Sequence, residues 1–273
     1  MATVLLIVLP TLVFVGWMLS HGWRAARRRR RLGAAPFPHA WRSILRRRVP
    51  MYRRMPPDLQ RQLRRHIQVF LADKAFIGCQ GQVIDDEVRV TIAAQASLLR
   101  LNRDGELFPG LRQVLVYPGA FVVDRVANAA GGVLQDQRRV LLGESWSQGQ
   151  VILSWPDSRD GAAVPDDGHN VVIHEFAHQL DQESGSANGA PALPSRGRYR
   201  RWSEVMSREY ASLQAQAAMQ VPTLLSHYGA TDPAEFFAVA TEVFFEQPQR
   251  LADQHPALYR ELSAYYRVDP ASW

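Results

Sequence analysis

From Pro57 the chain repeats apolar residues at three- and four-residue spacing, at Leu59, Leu63, Ile67, Phe70 and Leu71. That period predicts a helix, running on to near Gly78. Alternating Val88, Val90 and Ile92 predict a short strand beginning at Asp85, and Ala93–Leu101 turns helical again. Val114–Tyr117 and Phe121–Asp124, separated by Pro118-Gly119, predict two strands. A turn near Gly149 leads into a third, Val151–Trp155, while the Gly-, Pro- and Asp-rich stretch Asp157–Gly168 predicts a loop. The apolar run Val171-Val172-Ile173 then opens a helix that Asp166, Asp167 or Asn170 could cap. After a loop over residues 184–200, Trp202–Met219 is helical in pattern. Another helix starts after Asp232-Pro233 and carries Phe236, Phe237, Val239, Val243, Phe244 and Phe245, and a last one carries Leu258, Leu262, Tyr265 and Tyr266. A few strands in front and helices behind predict an α+β domain over residues 57–273, with a small sheet and a mainly helical C-terminal half.

The first nineteen residues stand apart. Ala2–Leu19 has no charged side chain, and extended to Trp23 it would form a helix of roughly 30 Å, enough to cross a bilayer. No Lys or Arg precedes this run, and Arg24 and Arg27–Arg31 follow it, which argues against a secretory signal. It therefore predicts one N-terminal transmembrane helix over residues 1–23. The flanking charge would leave the body on the cytoplasmic side of a bacterial inner membrane; the alternative is a cytoplasmic protein. Charge changes the picture further. The formal net charge of +6 is the sum of two unlike parts. Residues 1–65 hold fifteen arginines and one acid, net +14; residues 66–273 hold seventeen basic and twenty-five acidic side chains, net −8. The basic stretch 24–56 predicts a juxtamembrane segment attracted to anionic lipid, and no nucleic-acid-binding pattern accompanies it. The single Cys79 excludes an intrachain disulfide.

The chemistry sits in His174-Glu175-Phe176-Ala177-His178. On a helix, residues four apart share a face, so His174 and His178 can reach one metal ion, while Glu175, about 100° around, reaches a metal-bound water. Zinc suits imidazole ligands, and a catalytic zinc needs a third protein ligand. Asp181, on the same helix as both histidines, is poorly placed for that and reads as a supporting acid. Glu235 and Glu242 are seven apart on one face of a densely apolar helix, where a carboxylate needs a partner. Glu235 also stands three residues after Asp232, the spacing of a capping box. Spacing leaves the two acids nearly level, with a lean to Glu242 for burial.

His-Glu-Phe-Ala-His-Gln-Leu-Asp at 174–181, Tyr228-Gly229-Ala230, Ala234-Glu235-Phe236-Phe237-Ala238-Val239 and Glu242-x-Phe244-Phe245 together resemble the Mlc titration factor A (MtfA) family of zinc peptidases. So do Leu115-Val116-Tyr117-Pro118, Gly143-Glu144-Ser145-Trp146 and Leu153-Ser154-Trp155. The resemblance spans about residues 50–270 and implies a zincin-like, gluzincin-type fold. It implies one zinc ion on His174, His178 and Glu235, Glu175 as general base and Tyr228 as oxyanion donor, with Glu242 behind the ligands. It implies a peptide or protein substrate, with aminopeptidase action as one form. A second reading is a regulatory protein that sequesters a transcriptional repressor. Strand Val151–Trp155 is the candidate edge for pairing with substrate backbone.

Overall fold

The computed structural model describes residues 22–103, 105–129, 133–141, 143–146 and 149–273. The expected transmembrane helix lies almost wholly outside the described residues, and among those no helix is long and apolar enough to cross a membrane. Helix α1, described over residues 22–34, is followed by α2 (His39–Arg48), α3 (Met51–Arg54) and α4 (Pro57–Asp73). The basic segment is more than a tether. Ile44, Leu45, Met51, Tyr52 and Met55 are buried in the main core. Arg28 and Arg29 bind Asp73 at 2.8 and 2.7 Å, Arg29 also binds Glu106, and Arg47 and Arg48 bind Glu87. Partly exposed ion pairs contribute about 0–1 kcal/mol each, against about 1.5–3 kcal/mol for a buried large apolar side chain. Apolar packing therefore docks this segment, and the arginines orient it.

Helix α4 stops at Asp73, five residues before the expected end, because Lys74 leaves the helix to bury its ammonium against the carbonyls of Phe108 (2.7 Å) and Leu111 (2.8 Å). Strand β1 (Ala75–Gly78) follows. The strand expected at Asp85 is the start of helix α5 (Asp86–Leu98) instead. Asp85 accepts a hydrogen bond from the Val88 amide, and Asp86 and Glu87 sit in the first turn, where the helix dipole favours acids. Val88, Val90 and Ile92 are all buried, as are Thr91, Gln95 and Ser97, so a helix buried on most of its faces showed no helical period.

Strands β2 (Gln113–Tyr117), β5 (Gly143–Trp146) and β6 (Gln150–Ser154) join β1 in a four-stranded sheet of order β1-β2-β6-β5, parallel except for β5. A separate antiparallel pair is formed by β3 (Phe121–Ala129) and β4 (Val133–Leu141), the latter not anticipated. Strand β6 is interior, hydrogen-bonded to β2 and β5, so the candidate edge at Val151–Trp155 is corrected. Its backbone groups are already used, and the edge strands of the sheet are β1 and β5. Trp155 begins helix α6 (Trp155–Ala163) where a loop was expected; Pro156 stands in its first turn and the Ser158 hydroxyl donates to the Ser154 carbonyl at 2.7 Å.

Helix α7 (Val171–Asp181) lies beside β5 and β6 and crosses α9 (Pro233–Glu246). Helices α8 (Arg196–Ala218) and α11 (Pro256–Tyr266) join α9 in an aromatic cluster in which Trp202, Phe237 and Tyr265 meet edge to face, and α10 (Pro248–Gln254) lies against α9 and α11.

Candidate active site

Two helices present the site. Asn170 caps α7, its side-chain oxygen accepting from the Ile173 amide at 3.0 Å. Asp232 caps α9, accepting from the Ala234 and Glu235 amides at 2.9 Å each, with Pro233 at the first helical position. The Glu235 side chain does not turn back to complete a capping box. Its Oε2 lies 2.9 Å from His174 Nε2 and 3.4 Å from His178 Nε2, and those two nitrogens are 3.2 Å apart. The two imidazole planes stand at 82° with centroids 4.8 Å apart. Four-coordinate zinc with bonds of about 2.0–2.1 Å separates neighbouring ligand atoms by about 3.3 Å. The triangle of 2.9, 3.2 and 3.4 Å fits such an ion. His174, His178 and Glu235 are the one cluster able to hold a metal among the described residues.

Glu242 takes the other side of His174. Its Oε1 is 2.7 Å from Nδ1, and its Oε2 accepts from the Asn170 amide at 2.5 Å. A proton on Nδ1 donated to Glu242 leaves the Nε2 lone pair for a metal. Burial works against a charge on His174, but hydrogen bonds to Glu235 and Glu242 outweigh it and raise its pKa well above that of a free imidazole. Burial likewise works against the Glu235 carboxylate, and the bonds to His174 and His178 overcome it, holding Glu235 well below the usual carboxylate range.

Glu175 is 6% exposed and faces strand β5. A Cβ on Gly143 would come within 2.6 Å of Glu175 Cγ and 2.7 Å of its Oε1, so only glycine there leaves the carboxylate its position. Tyr228 belongs to the short 3-10 turn His227–Ala230, whose backbone Ser226 caps by accepting from the Tyr228 amide at 3.3 Å. Its ring lies 5.9 Å from that of His174 at 38°, and it is 50% exposed, open to an incoming ligand. Asp181 lies outside the cluster. It is fully buried, and its Oδ2 accepts from the Gly189 amide at 2.7 Å. Burial raises its pKa, and the amides of the 188–190 loop oppose that.

One residue escaped the sequence reading. Glu246 is buried one turn beyond Glu242, accepting from the Asn170 side-chain amide at 3.0 Å and from the Gly168 amide at 3.0 Å. Burial pushes its pKa up to about 9, against a lowering bond from Asn170 and with a further push from the Asp167 charge. A third acid four residues after Glu242, on the same helical face, was the available signal.

The family model for "Glucose-regulated metallo-peptidase M90" matches residues 23–267. The chain belongs to the M90 metallopeptidase family. The match to the M90 model begins in α1, well ahead of the expected boundary at residue 57, and takes in the basic segment that packs into the core. An uncharacterized protein of Synechocystis is 42% identical over 272 residues, covering 98% of this chain and 97% of its own. Two proteins named Mlc titration factor A are each 34% identical over 225 residues, from Escherichia fergusonii and Klebsiella pneumoniae, covering 81% of this chain and 84% of theirs. Every residue of the cluster lies inside the M90 match.

Proposed function

We propose that this M90 protein is a zinc-dependent peptidase, with one zinc held by His174, His178 and Glu235. The observation that carries the reading is the convergence of three donor atoms at 2.9–3.4 Å with Glu175 beside them. Bound there, zinc supplies Lewis-acid polarisation of the scissile carbonyl and a water acidic enough to ionise near neutral pH. Glu175 accepts the proton of the attacking water and returns it to the leaving amine. Tyr228 donates its phenol hydrogen to the developing oxyanion. Glu242 keeps His174 in the tautomer that offers Nε2. The outer edge of β5 offers backbone groups for an extended substrate, the task first assigned to β6.

Glu175→Gln tests this directly. The purified variant retains one zinc per chain and loses cleavage of unstructured peptides, free amino termini included; a zinc-loaded variant with full activity would refute the mechanism. A second reading rests on the relatives named Mlc titration factor A: this chain also binds a regulatory partner, which the family resemblance makes a transcriptional repressor. Partner binding that survives Glu175→Gln but not chelation assigns that contact to the metal-held fold instead of to catalysis. The uncharged run before Trp23 and the arginines after it support an anchor with the body on the cytoplasmic side, tested by membrane fractionation of the full chain with and without residues 2–19.

A further inference from the structure

Helix α1 lies antiparallel on α4. A Cβ on Gly33 would come within 3.6 Å of Arg65 Cβ and 3.8 Å of Val69 Cγ2, and the Ala35 carbonyl accepts from Gln68 Nε2 at 3.1 Å. Earlier in α1, Arg28 and Arg29 reach Asp73, the last residue of α4, and Arg28 also donates to the Ala72 carbonyl at 3.3 Å. At 1.5 Å per residue, Trp23 lies about 8 Å beyond that contact along the α1 axis. Other arginines of the basic region stand toward the opposite end of α4. Arg61 is twelve residues before Asp73, about 18 Å back along the helix, and Arg53 and Arg54 precede its first residue, Pro57. The arginines of residues 24–65 therefore do not form one surface.

The two sides of α1 differ. Ala25, Arg29, Leu32 and Gly33 are partly covered, whereas Arg24, Arg27, Arg30 and Arg31 are exposed. At 100° per residue, these four arginines all fall within about 60° of Arg27 around the helix. Trp23 is 62% exposed, and the Arg27 guanidinium stacks over its ring at 5.1 Å. A groove of about 450 Å³ is lined by Trp23, Arg24, Arg27, Arg28, Arg31 and Leu32. Asp73 and Glu106 take up the charges of Arg28 and Arg29, but Arg27, Arg30 and Arg31 meet no acid among the described residues. Arg27 stands three and four residues from Arg30 and Arg31, spacings at which like charges repel on a helix. An anion in the groove relieves that repulsion.

We propose that this face of α1 binds the phosphate headgroup of an anionic phospholipid. The attraction expected of the whole stretch 24–56 is thereby narrowed to one side of one helix. Guanidinium groups offer a phosphate paired N–H donors, and Arg27 keeps its N–H edge free for this while its face stacks on indole. The uncharged run Ala2–Leu19 ends four residues before Trp23, which sets the indole at the headgroup level that tryptophan favours. Charge is screened over about 8 Å at physiological ionic strength, so Arg53, Arg54 and Arg61 at the other end of α4 contribute little. The anchor reading above supplies the bilayer; the binding face stands on the groove and its charge.

The test uses the full chain in dodecyl maltoside micelles holding equal amounts of phosphatidylglycerol and phosphatidylcholine, with native mass spectrometry counting the lipids retained. The parent keeps phosphatidylglycerol over phosphatidylcholine by about tenfold, the effect of one charge-assisted hydrogen bond. Replacing Arg27, Arg30 and Arg31 together by Gln brings the ratio to about one. Replacing Arg53, Arg54 and Arg61 by Gln removes the same charge and leaves the preference in place. Arg31→Glu alone carries the test if the first triple variant does not fold. A parent without the preference, or an equal loss in both triple variants, would overturn the face, the second outcome assigning the effect to bulk charge. So would displacement of the lipid by excess glycerol phosphate, which assigns the groove to a free phosphate. The count does not depend on whether residues 2–19 cross a bilayer, so it and the fractionation above can fail separately.

Discussion

Glu246→Gln makes the metal-free protein more stable, by an amount that depends on pH. In the fold this carboxyl ionises only near pH 9, because burial disfavours its charge, whereas in the unfolded chain it ionises near its ordinary 4.5. Between those values the folded chain binds the extra proton, so this group's contribution falls as pH rises, by about 1.4 kcal/mol per unit. At pH 7 the accumulated penalty is about 3 kcal/mol, from the 2.5 units separating 4.5 and 7. Glutamine carries no such penalty. It keeps an oxygen for the Asn170 side-chain amide and gives up the acceptor used by the Gly168 amide, a loss of about 1 kcal/mol. The variant therefore gains about 2 kcal/mol at pH 7 and more at pH 8, and loses about 1 kcal/mol near pH 4.5. Urea unfolding of parent and variant in chelator, at several pH values from 5 to 8.5, measures the difference. A variant less stable than the parent at pH 8, or a difference flat with pH, would show that Glu246 is ionised in the fold.

Other outcomes follow from the geometry. Glu235→Ala loses zinc at micromolar concentrations because it removes a ligand, whereas Glu242→Ala keeps the ion with affinity about 10–100-fold weaker, as titration with a competing chelator will show. Gly143→Ala places a methyl group 2.6 Å from Glu175 Cγ. Metal analysis should show full occupancy beside a loss of more than about tenfold in kcat, since displacing a base is costly even with its chemistry intact. Tyr228→Phe lowers kcat about 10²-fold with little change in KM if the phenol meets the oxyanion alone; an equal rise in KM would assign it to substrate binding instead.

The elements that present the site were legible because each carries its own punctuation. Helix α7 follows a loop of Gly, Pro and Asp with an Asn at the capping position, and α9 follows Asp232-Pro233. Elements were misjudged where the deciding partner is far away in sequence. Lys74 ends α4 for the sake of carbonyls at Phe108 and Leu111, which no window around residue 74 contains. Helix α5 is enclosed by α2, α4, α6 and α7, so its buried valines alternate as a strand's would. The arginines of residues 24–56 masked Ile44, Leu45, Met51 and Tyr52, whose burial makes that segment part of the domain. Strand β6 could not be told from an edge by composition, since edge or interior is decided by which strands pair with it.

Spacing could not choose between Glu235 and Glu242 because the question assumed one ligand and one bystander. An imidazole has two nitrogens on opposite sides, and two acids seven residues apart on a crossing helix can serve both. Glu235 meets Nε2 and Glu242 meets Nδ1 of the same ring. Glu246 extends the series to positions separated by seven and then four, one continuous stripe on α9. An acid in so apolar a helix costs stability unless it is bound. Here the partners gather toward the N-terminal end of α7: His174, the Asn170 amide and side chain, and the Gly168 amide, with His178 one turn further on beside Glu235. That end carries the positive pole of the α7 dipole and its uncommitted amides, where acids are favoured. The stripe thus docks α9 onto the start of the motif helix. Distance along it sets the place of each acid: Glu235 faces the position proposed for the metal, Glu242 meets the other nitrogen of the ring, and Glu246 binds the Asn170 side chain that caps α7.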